Sequence, residues 1–139
     1  MKKPRLPRWL AFHHDLHLMV SRPRGIIDEA RIEEVVAALE QFENADHHPF
    51  NRYTDLSQID AVDLHFKFIF HISLHRRLVY AKYPPVKSAF YVTSPATAHI
   101  VKMHAILTDH SPLRVKLFKE EEAAAKWLGV SVEELNLAP

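Results

Sequence analysis

Stretches patterned for strands alternate with stretches patterned for helices along nearly the whole chain, and few folds accept that order. Apolar-rich runs at residues 10–14 and 17–21 flank Asp15-Leu16 and read as a hairpin. Asp28 and Glu29 then open a helix in which Ile32, Val35, Val36, Leu39 and Phe42 recur at helical spacing. A turn cluster at residues 44–49 leads into a strand at 50–56. A second buried strand, residues 86–92, lies between Pro84-Pro85 and Ser94-Pro95, and the latter pair suits the start of a helix running to about Thr108. Leu113, Val115 and Leu117 alternate with Arg114 and Lys116 as in a last strand. Glu120-Glu121-Glu122 begin a closing helix that Gly129 stops, and Ser131 to Glu134 has capping-box spacing. The order predicts an α/β fold: a mostly parallel sheet of four or five strands, an opening antiparallel hairpin, and helices packed on it through right-handed crossovers.

Residues 63–83 fit two patterns. Leu64, Phe66, Phe68, Phe70, Ile72 and Leu74 alternate with His65, Lys67, His71, Ser73 and His75, which is the period of a strand. A strand of that length would far exceed the usual five or six residues, and no breaker interrupts the run before Pro84. A long helix is therefore expected. Being apolar on nearly every side, it needs a covering surface besides the sheet, such as a second subunit in a homodimer.

With 139 residues, the chain is sized for one domain, assigned to residues 9–139 behind a flexible basic arm at 1–8. Eighteen basic against seventeen acidic side chains give no chain-wide reason to bind nucleic acid, and none is expected. The lack of cysteine removes disulfides, thiol nucleophiles and thiolate metal sites, and fits a cytoplasmic protein. Two glycines cannot build a Gly-rich phosphate loop. Charged residues and histidines break every apolar run, so no stable membrane insertion is expected.

Four motifs occur in a telling order: Gly25-Ile26-Ile27-Asp28; Thr54-Asp55-Leu56-Ser57-Gln58-Ile59 followed by Asp63; Arg114-Val115-Lys116-Leu117-Phe118; and Ala124-Ala125-Lys126-Trp127-Leu128. Together they resemble STAS domains, and more closely the SpoIIAA-like family, over most of residues 10–129. The resemblance implies a turn from the second strand into the first helix at Gly25, a strand end at Asp55, and an aspartate, Asp63, at the start of the next helix. Anti-sigma-factor antagonists of the wider group carry Asp-Ser-Ser-Gly there, with the first serine phosphorylated. Here Asp63 is followed by Leu64-His65-Phe66, so that serine is missing, and Ser57 is not its equivalent. The resemblance implies a fold more than a role, and the reading that needs no residue the sequence lacks is a non-catalytic regulatory or protein-interaction domain of that fold. It would meet a protein partner through Asp55, Ser57, Asp63 and His65, with Ser94 at a neighbouring helix start.

The remaining constellations have plainer readings. His71 and His75 share a helix face and could recruit Asp63 or His65 as a metal site, and His13, Asp15 and His17 could form another. Surface or hydrogen-bonded histidines explain both groups, and no metal or cofactor is expected. Asp55, Asp60 and Asp63 suit turns and caps better than acid–base chemistry, and no catalytic residue is assigned. The aromatic residues Phe66, Phe68, Phe70, Tyr80, Tyr83, Phe90 and Tyr91 belong to a core, an apolar ligand pocket or a dimer interface. With Arg76, Arg77 and Lys82 beside them, the alternative to partner binding is a module for a small apolar molecule or lipid. A His-rich metal enzyme is the third reading.

Overall fold

The computed structural model describes residues 6–46 and 48–137. Strand β1 (Leu10–His13) turns through a short 3₁₀ segment, His14–Leu16, into β2 (Leu18–Ser21). His17 closes that turn in the left-handed region at φ 47°, which is how a hairpin without glycine is completed. The chain continues through β3 (Gly25–Asp28), α1 (Glu29–Asp46), β4 (Asn51–Asp55), β5 (Ile59–Asp63), α2 (Phe66–Val79), β6 (Val86–Tyr91), α3 (Pro95–Leu107), β7 (Leu113–Phe118) and α4 (Glu121–Leu128). The main sheet has the order β1-β2-β4-β6-β7, antiparallel only between β1 and β2. This is the architecture that the alternating pattern predicts.

Both faces of the sheet are covered, and the strand alternation sorts residues between them. Leu18, Val20, Tyr53 and Ala89 pack on one face against Ala124, Ala125 and Leu128 of α4 and against Leu135. Gly129, at φ 78°, ends α4, and the Val130 N–H returns to the Ala125 carbonyl. The expected capping box forms: Ser131 N–H donates to Glu134 (2.9 Å), and Glu134 N–H donates to Ser131 Oγ (3.2 Å). On the other face, α1 places Ala38, Leu39 and Phe42 on Leu10, Phe12, Met19 and Phe50. There Phe12 and Phe42 stack at 4.1 Å between ring centroids. Val101 of α3 packs with Leu56 and Val92.

Several local expectations are corrected. Gly25–Asp28 is not a turn but a strand, paired in parallel with β5 in a separate two-stranded sheet. Accordingly, the stretch from Asp55 to His65 is not an uninterrupted loop, and Asp63 ends β5 instead of starting α2. Asn44, Ala45 and Asp46 continue α1 where a turn was expected, while His47 of that cluster lies outside the described residues. Residues 63–83 contain the expected helix, but only from Phe66 to Val79, and Tyr80–Lys82 tighten into a 3₁₀ turn. Ser94 and Pro95 do begin α3, yet the Ser94 hydroxyl makes no capping bond. Of the expected basic arm, residues 1–5 lie outside the described residues, and Leu6 packs against the Phe12–Phe42 cluster.

Candidate functional site

The helical side of the sheet is not filled. Among the sheet residues that face α1, α2 and α3 are Ser21, Thr54 and Ser88, whose small polar side chains leave space that larger apolar residues would occupy. The result is a cavity of about 190 Å³ between sheet and helices. Val36 of α1, Phe68 and Ile72 of α2, Ile100 of α3 and Phe90 of β6 make its wall apolar, while Ile27 and Val62 bring the two-stranded sheet to its edge.

One part of that wall is charged. Arg52 of β4 and Arg76 of α2 both line the cavity, and each is only 4% exposed. They flank Tyr80, with guanidinium carbons 4.9 and 4.7 Å from its ring centroid. The Tyr80 hydroxyl accepts from Arg52 Nη2 (2.6 Å) and Arg76 Nη2 (2.7 Å) and donates to Glu43 Oε1, so its hydrogen-bonding capacity is used up. Glu43 Oε2 also accepts from Arg52 Nη2 (3.1 Å) and from the Phe50 N–H (2.8 Å). Burial pushes the Tyr80 phenol above its ordinary range, which keeps it a neutral donor.

Among the fully buried members of this cluster the charges do not balance. Two guanidinium groups share one fully buried carboxylate, Glu43. Glu40, at the partly exposed rim, forms an ion pair with Arg76 Nη1 at 3.6 Å, too long for a hydrogen bond, and is also engaged by His75 at 2.8 Å. Arg76 Nη1 and Arg52 Nε are consequently buried without a hydrogen-bond acceptor among the described residues. Burial, followed by repulsion from Arg52, holds the Arg76 guanidinium below its ordinary value. Close by, His104 of α3 pairs its Nδ1 with the buried Ser73 hydroxyl at 2.7 Å. Burial, then the fields of Arg76 and Arg52, lower the His104 imidazole to about 4, so it is neutral near pH 7.

No protein-family model matches the sequence, and no curated protein matches it. Among solved structures, the chain is similar to an uncharacterised protein from the DUF3478 family with a SpoIIAA-like fold, from Shewanella loihica PV-4. The TM-score is 0.53 at 17% sequence identity, over 80% of this chain and 83% of that one. The chain has a SpoIIAA-like fold.

In this SpoIIAA-like chain, the residues picked out from the sequence are distributed over several places. Asp55 is 2% exposed and committed internally: Oδ2 takes the Arg22 guanidinium at 2.5 Å, and Oδ1 accepts from Ser57 N–H (2.8 Å) and Ser57 Oγ (2.6 Å). Arg22 also donates to the Leu135 carbonyl and to Glu121, which ties this strand end to α4 and the C-terminal segment. Ser94 lies beyond the end of β6, the neighbour of β4, and is exposed. Asp63 and His65, also exposed, lie between β5 and α2.

The histidines scatter. His75 faces Glu40, His13 bonds the Asn136 carbonyl (2.7 Å), and His17 stacks near His48. Among the described residues, no three His, Asp or Glu side chains converge as a metal site would require. Arg76, expected beside the aromatics on a lipid-contacting face, instead points its charge into the interior cluster.

Sequence reasoning missed Glu43, Arg52, Ser73 and His104. A signal was present: no acidic residue occurs from Leu64 to Thr108, so the basic groups of α2 and α3 have no local partners.

Proposed function

We propose that this protein is a non-catalytic binding module that holds a small apolar molecule between its sheet and helices α1, α2 and α3. The observation that carries this reading is the cavity itself. Its lining is dominated by aliphatic and aromatic side chains, with polar groups confined to a few places, the usual character of a small-molecule site. Native mass spectra of untagged protein, compared with denatured spectra, test whether a ligand is retained. The solvatochromic dye Nile red should bind saturably with one site, and Ile72→Trp, which projects into the same space, should weaken it at least ~10-fold while the helical circular dichroism persists. Absence of saturable binding by the wild-type protein overturns the reading.

A separate observation favours a second reading, an interaction surface on α2. Phe66, Phe70, Leu74 and Leu78 recur every fourth residue and are 64%, 42%, 44% and 67% exposed, forming an apolar stripe outside the fold. The charged side chains on α2 and α3 are all basic, including exposed Lys67 and Lys102. A second copy would oppose like charges there, whereas an anionic lipid surface complements both the stripe and the cations. Among the described residues no helix is long and apolar enough to cross a membrane, so the contact proposed is peripheral.

Vesicles containing phosphatidylglycerol should carry the protein in flotation, and pure phosphatidylcholine vesicles should carry much less. Leu74→Glu with Leu78→Glu should abolish the difference. Indifference to lipid charge sinks this reading, and a concentration-dependent doubling of mass in light scattering replaces it with a homodimer. Asp63, His65 and Ser94 are exposed and stay open to a protein partner. With Leu64-His65-Phe66 following Asp63, such regulation would not use a serine phosphoacceptor at that place.

A further inference from the structure

An apolar cavity that merely stored a hydrocarbon would have no use for buried guanidinium groups in its wall. Burying a cation costs several kcal/mol unless acceptors replace its water, and natural interiors rarely leave such a group short of them. Here the shortage is specific. Tyr80 accepts from Nη2 of both arginines and Glu43 from that of Arg52, while Arg76 Nη1 lacks a hydrogen-bond acceptor, and the fully buried set carries two positive charges against one negative. Glu43 is engaged by Phe50 N–H, Arg52 and Tyr80 and makes no hydrogen bond to Arg76. Glu40 is held at the rim by His75. His104, neutral and bonded to Ser73, adds no competing charge, and Ser88 and Thr54 leave room beside the arginines on the sheet side.

We propose that the cavity takes an amphiphile with a singly charged carboxylate head, placed at Arg76 and Arg52, and with its apolar chain along Phe68, Ile72 and Val36. This rests on the cavity-binding reading above and names the class of ligand. A carboxylate offers oxygen acceptors to the guanidinium N–H groups that lack them, and it cancels the excess positive charge. A neutral alcohol of equal chain length fills the same apolar space but brings no charge.

The experiment pairs dodecanoate with dodecanol, both read by displacement of Nile red below their aggregation concentrations. Wild-type protein should bind dodecanoate ~10–100-fold more tightly, the ratio equivalent to one or two charge-assisted hydrogen bonds. In Arg76→Met the ratio should fall to near one, and in Arg76→Lys, which keeps a cation, it should be partly restored. Equal affinities in the wild type overturn the carboxylate proposal while leaving the cavity reading intact. Failure of dodecanoate to displace bound Nile red also overturns the carboxylate proposal alone, whereas failure of Nile red itself to bind overturns both. The wild-type ratio is decisive even where a substitution at Arg76 prevents folding.

Discussion

Glu43→Gln should destabilise the protein by about 3–5 kcal/mol, the range for removing one member of a buried ion pair. That is a large part of the stability of a domain this size. Without the Glu43 carboxylate the buried set keeps Arg52 and Arg76 and no anion, and Tyr80 loses the charged acceptor of its hydroxyl. Arg52→Met gives the contrast. It deletes one cation from a set with one too many, leaving Glu43 and Arg76 balanced across Tyr80, and should cost less than half as much. Urea unfolding of the two variants at neutral pH measures both. Similar losses would mean that the cluster acts only through packing and that its charge imbalance has no energetic weight. The asymmetry also bears on function, because the same excess charge is what would attract an anionic head group.

The main sheet was legible because each of its strands is bounded by turn residues or prolines and joined to the next by a helix or the opening hairpin. The small sheet was not. β3 and β5 are four and five residues long, partly exposed, and pair with each other across α1 and β4. Nothing local distinguishes such strands from loops, and the glycine and aspartates that bound them are turn and helix-entry residues by propensity.

Helix α2 shows why a pattern can mislead. Its outer row, Phe66, Phe70, Leu74 and Leu78, and its cavity row, Phe68, Ile72 and Arg76, each have a spacing of four. Interleaved two residues apart, these rows read in the linear sequence as the alternation of a strand. The length of the run marks it as a helix, but the second apolar face pointed only to an unspecified cover.

The candidate site was harder still. In a sheet covered on both sides, alternation does not separate inside from outside, so Arg52 between Phe50 and Tyr53 carries no visible mark of an interior charge. Glu43 was the readable anomaly, since it continues the inner row of α1 marked by Leu39 and Phe42. Asp55 was legible as a strand-end residue, but its partners, Arg22 and Ser57, become clear only when α4 and the C-terminal segment close over that end.

His104 should make the protein acid-sensitive in a window set by its own two pKa values. An unfolded histidine titrates near 6.5, whereas the folded imidazole, desolvated and facing Arg76 and Arg52, titrates near 4. Above pH 6.5 the ring is neutral in both states and contributes its full share of stability. Between 6.5 and 4 the unfolded chain takes up the proton and the folded one resists it, so stability falls with pH, and below 4 this loss levels off. A shift of that size corresponds to about 3 kcal/mol, and the partial solvent access of the ring reduces it to about 2 kcal/mol at pH 4.5. Carboxylates titrate in the same range, which makes the comparison with His104→Gln necessary. That variant should lose about 2 kcal/mol less than the wild type between pH 7.5 and 4.5 in urea unfolding. Arg76→Met should raise the imidazole pKa in an NMR titration by removing the larger of the two guanidinium fields acting on it. Identical acid sensitivity in wild type and His104→Gln would assign the loss to carboxylates and remove His104 from the energetics of the cavity wall.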